Sequence, residues 1–350
     1  MNERKLHLHQ VPRFTLECGA ALDGVRQAYY LDGALNEERD NLVLVFHALT
    51  GDADAAGGWW HDVIGPGRAI DTDRYAVLSP NLLGSCYGTT GPSTYSLGEF
   101  PRVTPRDQAR LVGLLVDELG VASPALVAGG SLGGMVSLEW ALEHPGRARS
   151  VVALAAPAAH TAYAIGWNHI QRQLVSEFGE RGLALARQVA TMTFRTESEL
   201  GERFGRCTAG DSGWQVARWL DHHGEKLAER FDAATYRTLL DAMDAHDVGR
   251  GRGGMARALG SLTGRVVAVG IPGDLLYSAE EVYHWSTLAG AHYEEISSEH
   301  GHDASLIEHE QVGRILAEAL ERGRQGQLQA RITRHPRESG DPYARVDAAG

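Results

Sequence analysis

Cysteine is scarce in this sequence and irregularly spaced. The 350 residues contain three cysteines, Cys18, Cys86 and Cys207, and none of them belongs to a C-x-x-C pair. This spacing favours neither a zinc site nor a framework of disulfides, so each thiol is interpreted as a small packed side chain. We therefore expect no bound metal, and the reducing environment of the cytoplasm fits this use of cysteine.

Long apolar runs are absent as well. No stretch approaches the roughly 18 apolar residues of a membrane-spanning helix. The opening residues, MNERKLHLHQ, lack the apolar core of a signal peptide. We therefore expect a soluble cytoplasmic protein with no membrane partner.

Basic residues are outnumbered by acidic ones. The chain has 33 lysines and arginines against 45 aspartates and glutamates, a net charge of −12. Nucleic acids and anionic membranes attract basic surfaces, so the balance argues against both and favours small-molecule partners. With 43% hydrophobic residues, the chain can bury one large core or two modest ones. We expect one core domain with an insertion.

Five short apolar runs are typical of strands that are buried on both faces of a parallel sheet. They lie at residues 41–46, 75–79, just before Ser131, 150–154 and 265–270. Helical periods over 106–119 and 132–143 separate several of these runs, and alternating patterns within residues 13–30 predict an opening antiparallel hairpin. Strands that alternate with helices predict an α/β fold with a mostly parallel, doubly wound sheet.

A long helical segment interrupts this alternation. Helical periods at 162–178, 182–194, 214–231 and 232–246 are followed by the glycine-rich segment Gly249–Gly254. We interpret this segment as a connector, because a phosphate-binding loop would follow a strand. The predicted domains are a core formed by residues 1–157 and 261–323, a helical lid inserted at 158–260, and a polar, disordered tail at 324–350.

The stretch Pro124–Met135 organises the rest of the sequence. It is an apolar run that ends in Gly129-Gly-Ser131-Leu-Gly133 and continues into a helical pattern. A G-x-S-x-G pattern between a strand and a helix is typical of a nucleophile elbow, where the sharp turn leaves the serine hydroxyl exposed. Such turns also occur by chance, but the flanking strand and helix predict acyl chemistry at Ser131.

A serine nucleophile needs a base, and the base needs an orienting carboxylate. Asp274 follows the strand 265–270, in a loop at the carboxyl end of the sheet, where α/β folds gather their ligands. His302 follows a short predicted strand at 292–297 and precedes the last helix. Ser131, Asp274 and His302 occur in the chain order of an α/β-hydrolase triad. Taken alone, Asp274 is also explained as a loop-capping aspartate.

An oxyanion hole requires two backbone donors. Leu132 follows the nucleophile, and Leu49 lies in the loop after the strand 41–46, so their amides are the predicted donors. An alternative use of His302 is a metal site with His300, since alternate residues of an extended segment point to one side. No third ligand clusters with this pair in the sequence, and the pair His222-His223 is interpreted as a solvated helix face.

Further motifs resemble those of the homoserine O-acetyltransferases, a family of the α/β-hydrolase superfamily, over residues 13–322. They are Leu35-Asn36, His47–Asp52, Gly58–Trp60, Ile64–Arg68, Cys86–Pro92, Gly129–Met135, Asn168–Gln173, Gly182–Arg187, Gly224–Leu227, Arg230–Ala233 and Gly301–Asp303. A generic esterase would share only the elbow and the histidine.

The resemblance implies an enzyme of methionine biosynthesis with a ping-pong mechanism. Ser131 would take an acetyl group from acetyl-CoA, a co-substrate, and pass it to the hydroxyl of L-homoserine, with no permanently bound cofactor. The resemblance also implies that Arg187 pairs with the substrate carboxylate and Asp303 with its amino group, and that a homodimer forms through the lid helices. A planar guanidinium matches a carboxylate well.

Three departures from the family pattern are visible. The lid runs directly into Gly182 without the loop that many members carry, Phe194 replaces a tyrosine, and Leu132 replaces a methionine. The first two leave the donor and acceptor open, so a succinyl-CoA-dependent homoserine or serine O-succinyltransferase is an alternative. An esterase or thioesterase is another. An inactive interaction protein of this fold is disfavoured by the intact serine, aspartate and histidine.

Overall fold

The computed structural model describes residues 4–210 and 213–334. Its strands are β1 (His7–Thr15), β2 (Ala21–Asp32), β3 (Leu42–Phe46), β4 (Ile64–Gly65), β5 (Ile70–Asp71), β6 (Ala76–Pro80), β7 (Leu126–Gly130), β8 (Ser150–Leu154), β9 (Arg265–Gly270) and β10 (His292–Glu295). Its α-helices are α1 (Pro105–Glu118), α2 (Leu132–Glu143), α3 (Ala162–Phe194), α4 (Glu197–Phe204), α5 (Gln215–Ala228), α6 (Ala233–Asp244), α7 (Met255–Gly260), α8 (Ala279–Ala289), α9 (Ala304–Ile307) and α10 (His309–Arg334).

Eight strands form one sheet in the order β1-β2-β6-β3-β7-β8-β9-β10. The pairs from β6 to β10 are parallel, while β1 pairs with β2 and β2 with β6 in antiparallel fashion. The predicted opening hairpin and the mostly parallel α/β sheet are therefore confirmed. The carboxyl ends of the parallel strands meet at one edge, and the loops that leave this edge carry the candidate site.

Strand β3 shows why the predicted apolar runs are buried on both faces. Leu42, Leu44 and Phe46 pack with helices α1 and α2 on one face. Val43 and Val45, which alternate with them, pack with helix α10 on the other face. Side chains alternate along a strand, so a strand between two helical layers must be apolar at every position.

Helices α3 to α7 lie between β8 and β9 in the chain, where the sequence predicted an inserted lid. The two helices predicted at 162–178 and 182–194 form a single element, α3, broken at Gly179 with φ of 56°. A left-handed residue interrupts the helical hydrogen bonds there, and glycine adopts this conformation without steric cost. Helix α3 packs against α5 and α6.

The connector Gly249–Gly254 is fixed to the core by its arginines. Arg250 lies 2.8 Å from the carboxylate of Glu17, in the turn between β1 and β2. Arg252 lies 2.6 Å from Glu139 on α2, a carboxylate that is almost fully buried. Burial alone would raise the pKa of Glu17, but the hydrogen bond from Arg250 and other partners hold it below its usual value. These cations are already paired with carboxylates in the protein.

Three further features differ from the sequence predictions. Cys18 and Cys207 are exposed, so these two thiols are not the packed side chains that were expected, whereas Cys86 is partly buried against the core. Helices α4, α7 and α8 had not been predicted, and α10 continues to Arg334, past the predicted start of the tail at residue 324. Glu321 binds Arg324 and Gln325 at helical spacing, and such pairs favour continuation of a helix. Residues 335–350 of the predicted tail lie outside the described residues. Within the described ranges, no helix combines the length and apolarity that crossing a membrane requires.

Candidate active site

Ser131 stands at the turn between β7 and α2 in a backbone conformation that few residues adopt. Its φ is 56° and its ψ is −124°, and such strain is found where a site requires it. A Cβ on Gly129 would lie 2.5 Å from the backbone of Gly133, and a Cβ on Gly133 would overlap the Phe46 carbonyl. Both glycines are therefore required by close backbone contacts. The Ser131 hydroxyl does not cap the helix that follows.

His302 and Asp274 form a buried hydrogen-bonded pair. The His302 Nδ1 lies 2.7 Å from Oδ2 of Asp274, and both residues are about 95% buried. The other carboxylate oxygen, Oδ1, accepts the backbone N–H groups of Leu276 and Tyr277 at 2.7 and 3.0 Å. Because Nδ1 donates to the carboxylate, Nε2 of His302 is left to accept a proton.

The charge of Asp274 governs the basicity of His302. Burial alone would lower the pKa of His302, but the charge of Asp274 and the hydrogen bond to it raise the pKa above its usual value. A raised pKa makes the imidazole a stronger base and stabilises the imidazolium that forms when it takes a proton.

The segment that carries His302 packs against the end of the elbow strand. Ser305 donates to the His302 carbonyl at 3.5 Å, and its Oγ lies 3.2 Å from where a Cβ on Gly130 would stand. The His302 ring packs between the rings of Phe194 and Tyr277, with centroid distances of 5.4 and 5.3 Å. The structure therefore brings the Asp274–His302 pair to the edge of the sheet at which Ser131 stands.

The two predicted oxyanion donors lie on adjoining pieces of backbone. The close approach of Gly133 to the carbonyls of Phe46 and His47 packs the first turn of α2 against the loop that contains Leu49. In the part of the chain that the structure describes, the N–H groups of Leu49 and Leu132 donate to no protein acceptor. A free amide directly after a serine, together with one from an adjoining loop, is the arrangement that binds the oxygen of an acyl group in an oxyanion hole.

Arg187 faces a cavity of about 340 Å³ between the lid and the core, which Thr50, Trp59, Arg230 and Leu306 also line. Its guanidinium lies over the ring of Phe194, 5.5 Å from the centroid. Since Phe194 also contacts His302, one aromatic ring joins the predicted carboxylate-binding arginine to the predicted base.

Asp303 is already paired within the protein. Its Oδ2 lies 3.0 Å from Nε of Arg195, which also donates to Glu199 at 2.8 Å. Sequence reasoning missed Arg195, because only the fold places it beside Asp303. The pKa of His223 is lowered to about 4 by burial and then by the positive charge of Arg187, with smaller lowering effects of His222 and Arg195, while the negative charge of Asp303 acts in the opposite direction. His223 therefore faces these charged groups, whereas only His222 occupies the predicted exposed helix face.

His300 and His302 lie beside different carboxylates. His300 Nδ1 lies 3.2 Å from Oε1 of Glu199, whereas His302 binds Asp274. The two residues lie at a 3₁₀ turn and not in an extended strand, so the geometry that would let both rings bind one metal ion does not occur here.

A second buried pair lies behind the His302 ring and was also missed. His160 Nε2 lies 2.8 Å from the hydroxyl of Tyr277, and its Nδ1 lies 3.0 Å from Asp244 of α6. Burial, followed by the charge of Asp274, raises the pKa of Tyr277 well above its usual value. This chain of contacts joins the loop that carries Asp274 to the lid, and no sequence motif indicates it.

Comparison with known proteins places the chain in a family. Residues 41–199 match a family model described as the alpha/beta hydrolase fold. The chain is 42% identical, over 343 residues, to the homoserine O-acetyltransferase of Thermobifida fusca, covering 87% of this chain and 90% of that protein.

Solved structures show the same fold. The crystal structure of homoserine O-acetyltransferase from Bacillus anthracis has a TM-score of 0.84 and 24% identity, covering 91% of this chain and 98% of that one. The crystal structure of esterase E22 has a TM-score of 0.83 and 21% identity, covering 91% and 100%. These two likenesses establish the fold alone, whereas the sequence identity to the Thermobifida protein decides the family. The chain belongs to the homoserine O-acetyltransferase family, within the proteins of the alpha/beta hydrolase fold.

Proposed function

We propose that this protein transfers the acetyl group of acetyl-CoA to the hydroxyl of L-homoserine, through an acetyl ester on Ser131, as a step of methionine biosynthesis. The observation that carries the proposal is the buried Asp274–His302 pair beside a nucleophile elbow, in a chain 42% identical to a homoserine O-acetyltransferase. Serine becomes a useful nucleophile when an oriented histidine can take its proton.

In the first half-reaction, Ser131 Oγ attacks the thioester carbonyl while His302 Nε2 takes the hydroxyl proton. The carbonyl oxygen becomes an oxyanion and accepts hydrogen bonds from the Leu49 and Leu132 amides. The carbon–sulfur bond then breaks, and the CoA thiolate takes the proton from His302 and leaves as the thiol. Asp274 stabilises the transient imidazolium through the Nδ1 hydrogen bond.

In the second half-reaction, L-homoserine replaces CoA. His302 removes the proton of its hydroxyl, and the hydroxyl oxygen attacks the acetyl carbon of the Ser131 ester. The same two amides bind the second oxyanion. The ester bond to Ser131 breaks, the serine oxygen recovers a proton from His302, and O-acetyl-L-homoserine leaves.

Two charged residues would orient the acceptor. Arg187 presents a planar guanidinium that can bind the amino-acid carboxylate through two hydrogen bonds, and Asp303 presents a negative charge for the amino group. Asp303 follows His302 directly in the chain, so an ammonium held there would lie near the base. Opposite charges on the two sides of the site would fix which end of the amino acid faces Ser131.

A thiol-release assay tests this assignment. Acetyl-CoA and succinyl-CoA are each combined with L-homoserine and L-serine, and free CoA and the acylated amino acid are both measured. We expect the combination of acetyl-CoA with L-homoserine to have the highest kcat/KM. Dominance of a succinyl-CoA combination would replace the proposal with an O-succinyltransferase, and dominance of L-serine would change the acceptor.

Hydrolysis is the second candidate, because esterase E22 has the same fold at a TM-score of 0.83. In a hydrolase, water takes the place of the amino acid and CoA release is independent of an acceptor. A lid that excludes water would favour transfer over hydrolysis. Full-rate CoA release without any amino acid would favour a thioesterase.

We also propose a cytoplasmic homodimer that forms through the lid. Tyr163, Ile170 and Phe178 are exposed apolar side chains on α3, as is Met192 further along it. Tyr163, Ile170 and Phe178 recur at spacings of about two helical turns ahead of the break at Gly179, and an exposed apolar stripe of this kind is typical of an interface. Light scattering coupled to size-exclusion chromatography should give twice the chain mass, and Ile170→Glu with Phe178→Glu should shift the protein toward a monomer.

A further inference from the structure

The peptide group that joins Ala48 to Leu49 is held at its carbonyl. The Ala48 oxygen accepts a hydrogen bond from His47 Nδ1 at 2.8 Å and from the N–H of Gly51 at 3.0 Å. In a trans peptide the carbonyl and the following N–H point in opposite directions. Fixing the Ala48 carbonyl therefore aims the Leu49 N–H, the predicted oxyanion donor.

The His47 ring is itself held in one neutral tautomer. Its Nε2 accepts the N–H of Leu82 at 3.1 Å, so the proton of the neutral ring must be on Nδ1, where it can reach Ala48. The ring is fully buried, and burial lowers its pKa. His47 therefore stays neutral and holds the loop from the core side.

The same loop is held from the lid by one arginine. Arg230 Nη1 donates to the carbonyl of Thr50 at 2.9 Å and lies 2.7 Å from the hydroxyl of Tyr87. Arg230 lies in the turn between α5 and α6. The next residue, Phe231, is buried and packs its ring against that of Tyr87. These contacts place the turn between α5 and α6 on the core, beside the loop that contains Leu49.

We propose that Arg230 is a positioning residue for the oxyanion hole. By holding the carbonyl of Thr50, it keeps the loop in the conformation that presents the Leu49 N–H to an acyl group on Ser131. The hole is then complete only while the turn between α5 and α6 rests on the core, so the lid takes part in acyl chemistry as well as enclosing the site. This inference rests on the proposed acyl chemistry at Ser131.

A competing role for Arg230 is direct contact with the acyl donor. Its guanidinium lines the cavity of about 340 Å³ together with Arg187 and Trp59, and the phosphates of a CoA ester are anionic. Positioning is favoured because Nη1 is engaged by Thr50 and Tyr87 at good hydrogen-bond distances. The two roles predict different results with a neutral acyl donor that has no phosphates. An arginine that binds phosphates would not affect the reaction of such a donor, whereas a positioning arginine would.

The experiment compares Arg230→Met, Arg230→Lys and the wild type in pre-steady-state acylation by p-nitrophenyl acetate, a neutral donor. Loss of a whole oxyanion donor costs about 10²–10³ in rate, so misplacing one should slow acylation about tenfold, with little change in apparent affinity. Arg230→Lys keeps a donor and should recover part of the rate. The matched control is Arg237→Met, an exposed arginine on α6, which should stay within about twofold of the wild type.

A second measurement separates positioning from partial misfolding. A trifluoromethyl ketone forms an oxyanion adduct with an active serine, whereas its methyl ketone counterpart binds without that charge. The ratio of the two affinities does not depend on the active fraction of a preparation. It should fall about tenfold in Arg230→Met, as the acylation rate does.

Two results would overturn the inference. One is an unchanged acylation rate and ketone ratio in Arg230→Met. The other is a raised KM for acetyl-CoA with normal p-nitrophenyl acetate kinetics, which would assign Arg230 to donor binding. A wild-type protein that is acylated by p-nitrophenyl acetate but gives no acetylhomoserine would refute the proposed transfer, while the Arg230 comparison would still decide this inference.

Discussion

Arg195 and Asp303 form an ion pair at 3.0 Å, both largely shielded from solvent. If Asp303 recognises the amino group of the acceptor, the substrate ammonium must join a carboxylate that already has a cationic partner. Removing the charge of either residue leaves the charge of the other without a partner in a poorly solvated part of the protein. The pair therefore offers a test of substrate recognition by a double-mutant cycle.

Asp303→Asn should raise the KM for homoserine by at least about tenfold, because Arg195 would then repel the ammonium group. The double variant Arg195→Gln with Asp303→Asn removes both charges and should bind homoserine better than Asp303→Asn alone. Steady-state KM values for the four proteins, with acylation bursts as the control, measure this. Additive effects of the two substitutions would show that the pair does not act on the substrate as a unit.

The members of the predicted triad should act as one catalytic unit. Without its base Ser131 is a poor nucleophile, and without Ser131 the base has nothing to activate. Ser131→Ala, His302→Ala and their double variant should therefore lose similar amounts of kcat, each by at least about 10³. Stopped assays with acetyl-CoA and homoserine give these values. A double variant whose loss equals the product of the single losses would contradict the assigned coupling.

Arg187→Lys keeps a positive charge but loses the planar arrangement of donors. We expect a higher KM for homoserine, while the burst of about one CoA per Ser131 in the absence of acceptor stays nearly intact. Rapid-quench measurement of the burst, with intact-protein mass to identify the acetyl group, follows the two half-reactions separately.

The wild type should give parallel double-reciprocal plots, as a covalent intermediate between two substrates requires. Intersecting lines without an acyl-enzyme would refute the covalent route. A burst that is lost in Arg187→Lys would place this residue in the first half-reaction instead.

Glu281, near the start of α8, should make stability depend on pH. Burial, followed by the charge of Asp274, raises its pKa from 4.5 to about 7. A carboxyl whose folded pKa is raised opposes folding when it ionises, so this destabilisation is absent below the unfolded pKa and complete above the folded one. Glu281→Gln should therefore increase the free energy of unfolding by about 1 kcal/mol near pH 8, allowing for partial exposure, and by little near pH 4.

Urea unfolding at the two pH values measures this effect, and Glu280→Gln is the control because Glu280 is the exposed neighbour on the same helix. The same gain at acidic and basic pH would show that the effect does not come from the ionisation of Glu281.

Local patterns predicted most of the fold. Strands such as β8 and β9 were predicted at their observed bounds, because a strand buried on both faces must be continuously apolar. The elbow was equally visible, since a sharp turn requires glycines at fixed offsets around Ser131. Helix α8 was not predicted, although Val282 and Trp285 are buried at helical spacing on it.

Contacts between distant parts of the chain could not be predicted in the same way. Nothing near Arg195 or Arg230 in the sequence indicates that one meets Asp303 and the other meets Thr50. These pairs form only after the lid folds onto the core, and the same holds for His160 and Tyr277. The roles of Arg187 and Asp303 came from motif resemblance and remain predictions.

The ion pairs of the connector also bear on how the molecule loses its structure. Arg250 and Arg252 tie the end of the lid to Glu17 and Glu139, and Glu139 is only 1% exposed. If the lid melted first, this carboxylate would lose Arg252 and keep only Arg106 of α1, at 3.2 Å, as a cationic partner inside a folded core, and such a loss is costly. Although the lid is an insertion in the sequence, we therefore expect it to unfold together with the core in a single thermal transition.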